Sequence, residues 1–327
     1  MIVPATTENI ERAARLLRDG ELVSFPTETV YGLGANARNA AAVGKLFAAK
    51  KRPADHPVIV HIAEAAAAAR WARSIPSGAQ ALARAFWPGP LTLILPRAQG
   101  VSDAVTGGQD SVGLRVPSHP VAQALLAQFA QRDGHGIAAP SANRFGRISA
   151  TTAQHVADDF GAEIALILDG GPCPHGIEST IVAFAGDTAI LLRPGALSVE
   201  ALERVLGRPL SSSVAGAPRA AGMLATHYAP RTPARLMRSP ELADALAQLA
   251  QPGAHIAVLA HSVAQPPDFE GTWFDAPTHD TAYAQKLYAN LRALDALAAD
   301  EIWIEAPPDG PEWHAVRDRL RRATDRA

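Results

Sequence analysis

IALILDGGPCPHGIESTIVAFAGDTAILLRPG, residues 164–195, is the stretch that decides the fold class. Within it IALILDG (164–170), STIVAF (179–184) and AILLRPG (189–195) read as three strands in close succession, each an aliphatic or β-branched run bounded by turn residues. Upstream, strands and helices alternate instead. Thr7 is expected to cap a helix with apolar positions at Ile10, Ala14 and Leu17 that stops at Gly20, and Asn39 to cap a second one through Val43, Leu46 and Phe47. Strands are expected at Leu22–Phe25, PVIVHI (57–62), LTLILP (91–96), SVGLRVP (111–117) and GIAAP (136–140). Alanine-rich helices run to about 86, with others at about 119–131, 152–160 and 198–206. Irregular alternation that lapses into consecutive strands predicts an α/β domain with a mixed sheet, not a regular parallel one.

That domain is assigned to residues 1–207. Residues 208–233, rich in Pro, Gly, Ser and Ala and without a sustained period, read as a linker. From 234 to 327, helical ELADALAQLA, strand HIAVLAHS, helical TAYAQKLYANLRALDAL and strand EIWIEAP alternate at the spacing of a small βα domain.

Composition narrows the function classes. With 48% hydrophobic and 19% charged residues over 327 positions, the chain is expected to be soluble and globular, and long enough for two cores. A net charge of −2 and a pI near 6.6 argue against a surface built to grip nucleic acid. A single cysteine, Cys173, excludes an intrachain disulfide and a cysteine-rich zinc site. The N-terminal segment has neither a basic region followed by an apolar core nor a run long enough to span a bilayer, so a cytoplasmic protein with no membrane partner is expected.

Several stretches carry chemistry. SFPTETVYGLG (24–34) gathers Thr27, Glu28, Thr29 and Tyr31 with Gly32 and Gly34 around Pro26, an unusual way to leave a strand. AAKKRPADHPVIVHI (48–62) holds Lys50 and Lys51 in a chain with only four lysines, which reads either as a requirement for compact charges or as a solvated helix end. His56 follows in a loop, and His61 interrupts an apolar strand, either as a satisfied core histidine or as a ligand. Arg115 and Arg193 interrupt or end strands in the same way, and an anion is expected near each. APSANRFGRISATT (139–152), with Ser141, Asn143 and Ser149, and HGIESTIV (175–182), with Glu178, Ser179 and Thr180, supply turn chemistry or short donors for phosphate and carboxylate.

FPTETVYGLG, KKRPADHPVIVHI, WPGPLTLIL, SVGLRVPSHP, APSANRFGRIS, GIESTIV and LLRPG occur in an order and spacing similar to those of the YrdC-like domain of threonylcarbamoyl-AMP synthases. The similarity covers about residues 8–207, and GMLATHYAP with the small C-terminal domain resembles the long, two-domain form of that family. The resemblance implies a twisted mixed sheet around a large cationic cavity, followed by a Rossmann-like C-terminal domain. It implies synthesis of L-threonylcarbamoyl-AMP from L-threonine, bicarbonate and ATP, with Mg²⁺ accompanying the triphosphate and metal ligands left unassigned. The product would pass to a tRNA threonylcarbamoyl transferase machinery, and no stable nucleic-acid binding is expected. By residue, Thr29, His61, Arg115, the Ala139 backbone and Ser179 match threonine contacts. Lys50, Arg52, His56, Ser111, Ser141, Asn143, Ser149, Arg193 and Tyr228 match nucleotide contacts, with Lys50, Arg52 and Arg193 as the catalytic cations.

His56 stands where many relatives have asparagine, and Gly222 is separated from His227-Tyr228 by Met223-Leu224-Ala225-Thr226, where many relatives carry basic residues. The linker is expected to be a lid in which His227 and Tyr228 cover the nucleotide; the alternative is a tether whose tyrosine packs on the C-terminal domain. The competing functions are a carbamoyl-adenylate former that uses carbamoyl phosphate, disfavoured by the single cysteine, and an RNA-binding module, disfavoured by the charge.

Overall fold

The computed structural model describes residues 1–131, 135–212, 217–222, 227–249 and 254–325. It divides into two compact units, one of Met1–Phe145 and Ser149–Met223, the other of Gly146–Ile148 and Leu224–Ala327.

In the first unit the chain runs β1 (Ile2–Pro4), α1 (Thr7–Arg18), β2 (Val23–Phe25), β3 (Gly32–Asn36), α2 (Ala40–Lys50), β4 (Ile59–His61), α3 (Ser77–Phe86) and β5 (Leu91–Pro96). It continues through α4 (Asp103–Thr106), β6 (Ser111–Arg115), α5 (Pro120–Ala130), β7 (Ile137–Ala138), α6 (Ala153–Phe160), β8 (Leu166–Asp169), β9 (Thr180–Ala185), β10 (Thr188–Arg193) and α7 (Val199–Leu206). Ten strands form one sheet in the order β1-β8-β2-β3-β7-β4-β6-β5-β9-β10. The sheet is mixed: β1–β8, β2–β8, β4–β6 and β5–β9 pair parallel, while β2–β3, β3–β7, β4–β7, β5–β6 and β9–β10 pair antiparallel.

Two local expectations are corrected. Thr6, not Thr7, caps α1, its hydroxyl accepting from the Asn9 N–H at 3.3 Å. Gly32–Asn36 is a strand and not an exit loop, and its glycines serve packing, because a Cβ at Gly34 would lie 2.9 Å from both Ile137 Cγ2 and Phe25 Cε1.

Alternation within strands sorts side chains between faces. Val58, Val60 and Ile62 around β4, Leu91, Leu93 and Leu95 on β5, and Val112 and Leu114 on β6 enter one buried cluster beneath α3 and α7. Each such fully buried aliphatic stabilises the fold by about 1.5–3 kcal/mol. The intervening residues, Ile59 and His61, Thr92 and Ile94, Gly113 and Arg115, are left for the opposite face. At the other end of the sheet, Leu166 and Leu168 pack with α1 and α5, while Ile167 between them joins Leu46 of α2 and Val156 of α6.

The second unit contains β11 (Ala234–Met237), α8 (Ser239–Ala247), β12 (Ile256–Ala260), β13 (Thr272–Asp275), α9 (Asp280–Ala296), β14 (Glu301–Glu305) and α10 (His314–Thr324). Its four strands are all parallel in the order β11-β14-β12-β13, with β11, β13 and α10 additional to the elements expected from sequence. Among the described residues no helix is long and apolar enough to cross a membrane.

Candidate active site

The face opposite the α3/α7 core carries a transverse row of side chains. His61 pairs with Arg115 across β4 and β6. Leu114 pairs with Leu93, which sets Arg115 beside Thr92, and Ile181 pairs with both Thr92 and Arg193. Paired residues project to the same side of a sheet, so four polar side chains are aligned over five adjacent strands. His61 therefore belongs to the site face, although it is only 3% exposed.

Loops at the strand ends complete the arrangement. The β2–β3 loop delivers Thr29, whose hydroxyl accepts from Arg115 Nη1 at 2.9 Å and bonds to Thr27 Oγ1 at 2.8 Å. Glu28, from the same loop, supplies the anion expected beside Arg115: Oε1 lies 2.7 Å from Nη2, with both side chains 4% exposed. Burial pushes the Glu28 carboxyl up, but the Arg115 charge and hydrogen bonds, with help from the Ser118 N–H, hold it below the usual carboxylate range. Oε1 thus pairs with Nη2, whereas Arg115 Nε and His61 Nδ1 find no hydrogen-bond partner among the described residues. Burial, reinforced by the Arg115 charge, lowers the His61 pKa to about 3 and keeps the ring neutral. Ser179 bonds Thr92 Oγ1 at 2.8 Å, while the Ala139 N–H donates to the Ile59 carbonyl at 2.9 Å, leaving its carbonyl as the contact it can offer.

A second group of candidates surrounds the end of α2. Lys51 lies in the left-handed region with φ 54°, its N–H donating to the Ala48 carbonyl and that of Arg52 to the Phe47 carbonyl, which is a Schellman ending. The turn leaves Lys51 exposed and sends its neighbours inward, Lys50 at 2% and Arg52 at 9% exposure. Lys50 Nζ donates to the Ser141 carbonyl at 2.6 Å and also to that of Asn143. Burial, then the Arg52 charge, holds the Lys50 pKa well below the ordinary lysine value. Arg52 Nη2 donates to the Pro57 carbonyl at 2.8 Å, and the guanidinium lies 5.9 Å from the ring centres of Phe47 and Phe145. His56 packs edge-on to Phe145 at 5.4 Å, with its pKa lowered by burial and the Arg52 charge.

Ser149 donates to Glu178 Oε1 at 2.6 Å. Arg193, at the far end of the row, donates Nε and Nη2 to the Ser179 carbonyl at 3.2 and 2.9 Å, and Nη1 to the Ala221 carbonyl at 2.9 Å. Ser111 and Gly113 line a cleft with Pro57, Ile59, Ile94 and residues 219–221. Gly113 keeps it open, because a Cβ there would sit 3.1 Å from Ile94 Cδ1.

Seven-segment similarity now has a three-dimensional counterpart. The sequence family of Sua5, YciO and YrdC, described as "Telomere recombination", matches residues 15–195, and "Threonylcarbamoyl-AMP synthase, C-terminal domain" matches 197–324. The chain belongs to the threonylcarbamoyl-AMP synthase family. It is 39% identical to the threonylcarbamoyl-AMP synthase of Pyrococcus abyssi, over 96% of this chain and 94% of that one. With the threonylcarbamoyl-AMP synthase of Bacillus subtilis it shares 42% identity, over 96% of this chain and 92% of that one. The crystal structure of Pyrococcus abyssi Sua5 complexed with L-threonine superposes with a TM-score of 0.90 at 36% identity, covering 99% of this chain and 97% of that one.

Within this member of the family, Tyr228 belongs to the second unit. Its ring is 1% exposed, lies 5.5 Å from that of Tyr288 and has the Arg319 guanidinium 5.3 Å from its centre. Residues 223–226, the departure from the family's basic linker, fall outside the described residues. Glu28 stands in SFPTETVYGLG with no role assigned to it there, and Thr92 is absent from the expected site residues. Its signal was a lone hydroxyl at the site-facing position of LTLIL.

Proposed function

We propose that this chain makes L-threonylcarbamoyl-AMP from L-threonine, bicarbonate and ATP with release of pyrophosphate, the first step of N6-threonylcarbamoyladenosine formation in tRNA. It is a nucleotidyltransferase, and the row His61–Arg115–Thr92 with Thr29 and Ser179 is its amino-acid pocket. One observation carries the pocket assignment: Arg115 and His61 are buried side by side, and Arg115 Nε and His61 Nδ1 find no hydrogen-bond partner among the described residues. Buried donors without partners are costly, and a ligand carboxylate satisfies them.

In this reading the neutral threonine amine takes up CO₂, releasing a proton, or bicarbonate, releasing water, to form a carbamate, whose oxygen attacks the α-phosphorus of ATP as pyrophosphate leaves. No covalent enzyme intermediate is needed, so the protein positions reactants and supplies fixed charge in a dry site. Lys50, Arg52 and Arg193 are the cationic set; Lys50 and Arg52 now point at backbone carbonyls, which phosphate oxygens would replace, while Arg193 holds the Ser179 and Ala221 carbonyls. Ser111, Ser141, Asn143, Ser149 and His56 are the accompanying nucleotide contacts. Mg²⁺ belongs to the proposal through the triphosphate, since it binds through substrate phosphates and keeps several waters. Among the described residues no group of three His, Cys, Asp or Glu side chains is placed to hold a metal ion. A cytoplasmic location and hand-over to a tRNA-modifying transferase complete the reading.

The test is threonine-dependent pyrophosphate release from the purified protein with ATP and bicarbonate; release that ignores threonine overturns the reading. Lys50→Ala and Arg52→Ala should each lower turnover about 10- to 150-fold, since hydrogen bonds to charged groups contribute about 1.5–3 kcal/mol. Unchanged turnover in both would return Lys50 and Arg52 to a structural role.

A further inference from the structure

We propose that Glu28 is the positioning and specificity residue of the amino-acid pocket: it fixes the Arg115 guanidinium and offsets its charge, so that the pocket accepts a zwitterion in preference to a simple carboxylic acid anion. The inference rests on the reading of Arg115 as the group that binds the threonine carboxylate.

Glu28 is built in from several directions. Oε2 accepts the Ser118 N–H at 3.1 Å, three residues beyond Arg115, and the Glu28 carbonyl accepts the His175 N–H at 2.8 Å. One residue thus ties the β2–β3 loop to the segment leaving β6 and to the segment before β9. With Oε1 2.7 Å from Nη2 and Thr29 taking Nη1 at 2.9 Å, the guanidinium is held at two corners while Nε stays unengaged. A pre-oriented fork binds a carboxylate without first losing side-chain freedom.

Charge balance acts alongside the geometry. Glu28 and Arg115 together bring no net charge to a site where each is 4% exposed. A ligand that adds only a carboxylate leaves the buried group of three with a net negative charge, whereas a zwitterion adds an ammonium as well and keeps the balance. Charge imbalance is most costly where water is excluded.

Glu28→Gln keeps the size and the acceptor for Ser118 but removes the charge. Steady-state kinetics should show the threonine KM raised about tenfold or more, the effect of losing one charge-assisted contact, with the ATP KM little changed. In the same variant 2,3-dihydroxybutanoate, which is threonine with its amine replaced by hydroxyl, should compete better relative to threonine by a similar factor. Glu28→Asp, which retains the charge on a shorter arm, should keep the discrimination while its threonine KM rises; it also serves if Glu28→Gln does not fold. An unchanged threonine KM in Glu28→Gln, a parallel rise in the ATP KM, or lost discrimination in Glu28→Asp overturns the proposal. Arg115→Lys separates the two levels: if it leaves the threonine KM unchanged, the reading of the pocket fails, and if it raises the KM while Glu28→Gln does not, only the role of Glu28 fails.

Discussion

Burial and the neighbouring Arg115 charge both penalise an imidazolium at His61, and together they carry its pKa from 6.5 down to about 3. The sign of the resulting stability change follows from proton binding. Below pH 6.5 the unfolded chain takes up a proton that the folded ring refuses until about pH 3, so stability falls as pH falls across that window. The slope from this residue is about 1.4 kcal/mol per pH unit where the two states differ by a full proton. His61→Gln should flatten that part of the unfolding free energy against pH, measured by denaturant titration between pH 4 and 7 (roughly the window of the linkage). Superimposable curves for the two proteins would show that the buried ring titrates normally. The same residue shows why sequence left its role open, since an apolar strand with one histidine looks alike whichever face the ring takes. The cross-strand neighbour decides, and Arg115 is 54 positions away.

At the scale of elements, alternation was legible wherever a strand had a core on one side only. SVGLRVP shows Val112, Leu114 and Val116 facing one way and Ser111, Gly113 and Arg115 the other, and the structure keeps that division. KKRP was half legible. Two lysines at a helix end fit solvent or ligand equally, until the left-handed turn at Lys51 sets Lys50 and Arg52 inward. Gly32–Asn36 was missed because glycine is a poor strand former in isolation, whereas here close packing on Phe25 and Ile137 requires it.

In the second unit the same scale shows a carboxylate that organises strand ends. Glu305, at the end of β14 and 0% exposed, accepts from the His261, Ser262 and Val263 N–H groups at 2.7, 2.9 and 3.2 Å and from the Ser239 hydroxyl at 2.8 Å. The Ser262 hydroxyl donates to it as well. Burial pushes its pKa up, but these donors outweigh it and hold the carboxyl at about 2. A depressed carboxylate pKa gives stability that is full above the ordinary value of 4.5 and is lost as pH falls toward 2. Glu305→Ala leaves several buried donors without an acceptor, each costing about 1–3 kcal/mol, and should lower the melting temperature of this unit at pH 7. Glu305→Gln should recover part of the loss. A melting profile unaffected by Glu305→Ala would show that the strand-end loops are held by something else.

Considered whole, the molecule has a linker whose first part is attached to the first unit. Gln109 grips the Arg219 backbone from both sides, its Oε1 accepting the Arg219 N–H at 2.7 Å and its Nε2 donating to the Arg219 carbonyl at 3.0 Å. The Arg219 side chain reaches the Gly107 carbonyl at 3.2 Å and Asp55 at 3.5 Å. Ala220 and Ala221 pack on Ile59, Ile94 and Ile181, and the Ala221 carbonyl takes Arg193 Nη1. A protease must draw several residues into an extended conformation, so cleavage after Arg219 requires these contacts to open first. Gln109→Ala removes both backbone hydrogen bonds, worth about 0.5–1.5 kcal/mol each, and should speed tryptic cleavage there about 5- to 150-fold under conditions where opening is fast. In the unaltered protein ATP with threonine should slow the same cleavage, because ligands that bind only the folded, strapped form stabilise it. A time course with and without ligands, in both proteins, measures the two effects together. Equal cleavage rates in Gln109→Ala and the unaltered chain would mean that the strap is held by its alanines on the apolar face, and not by the glutamine clamp.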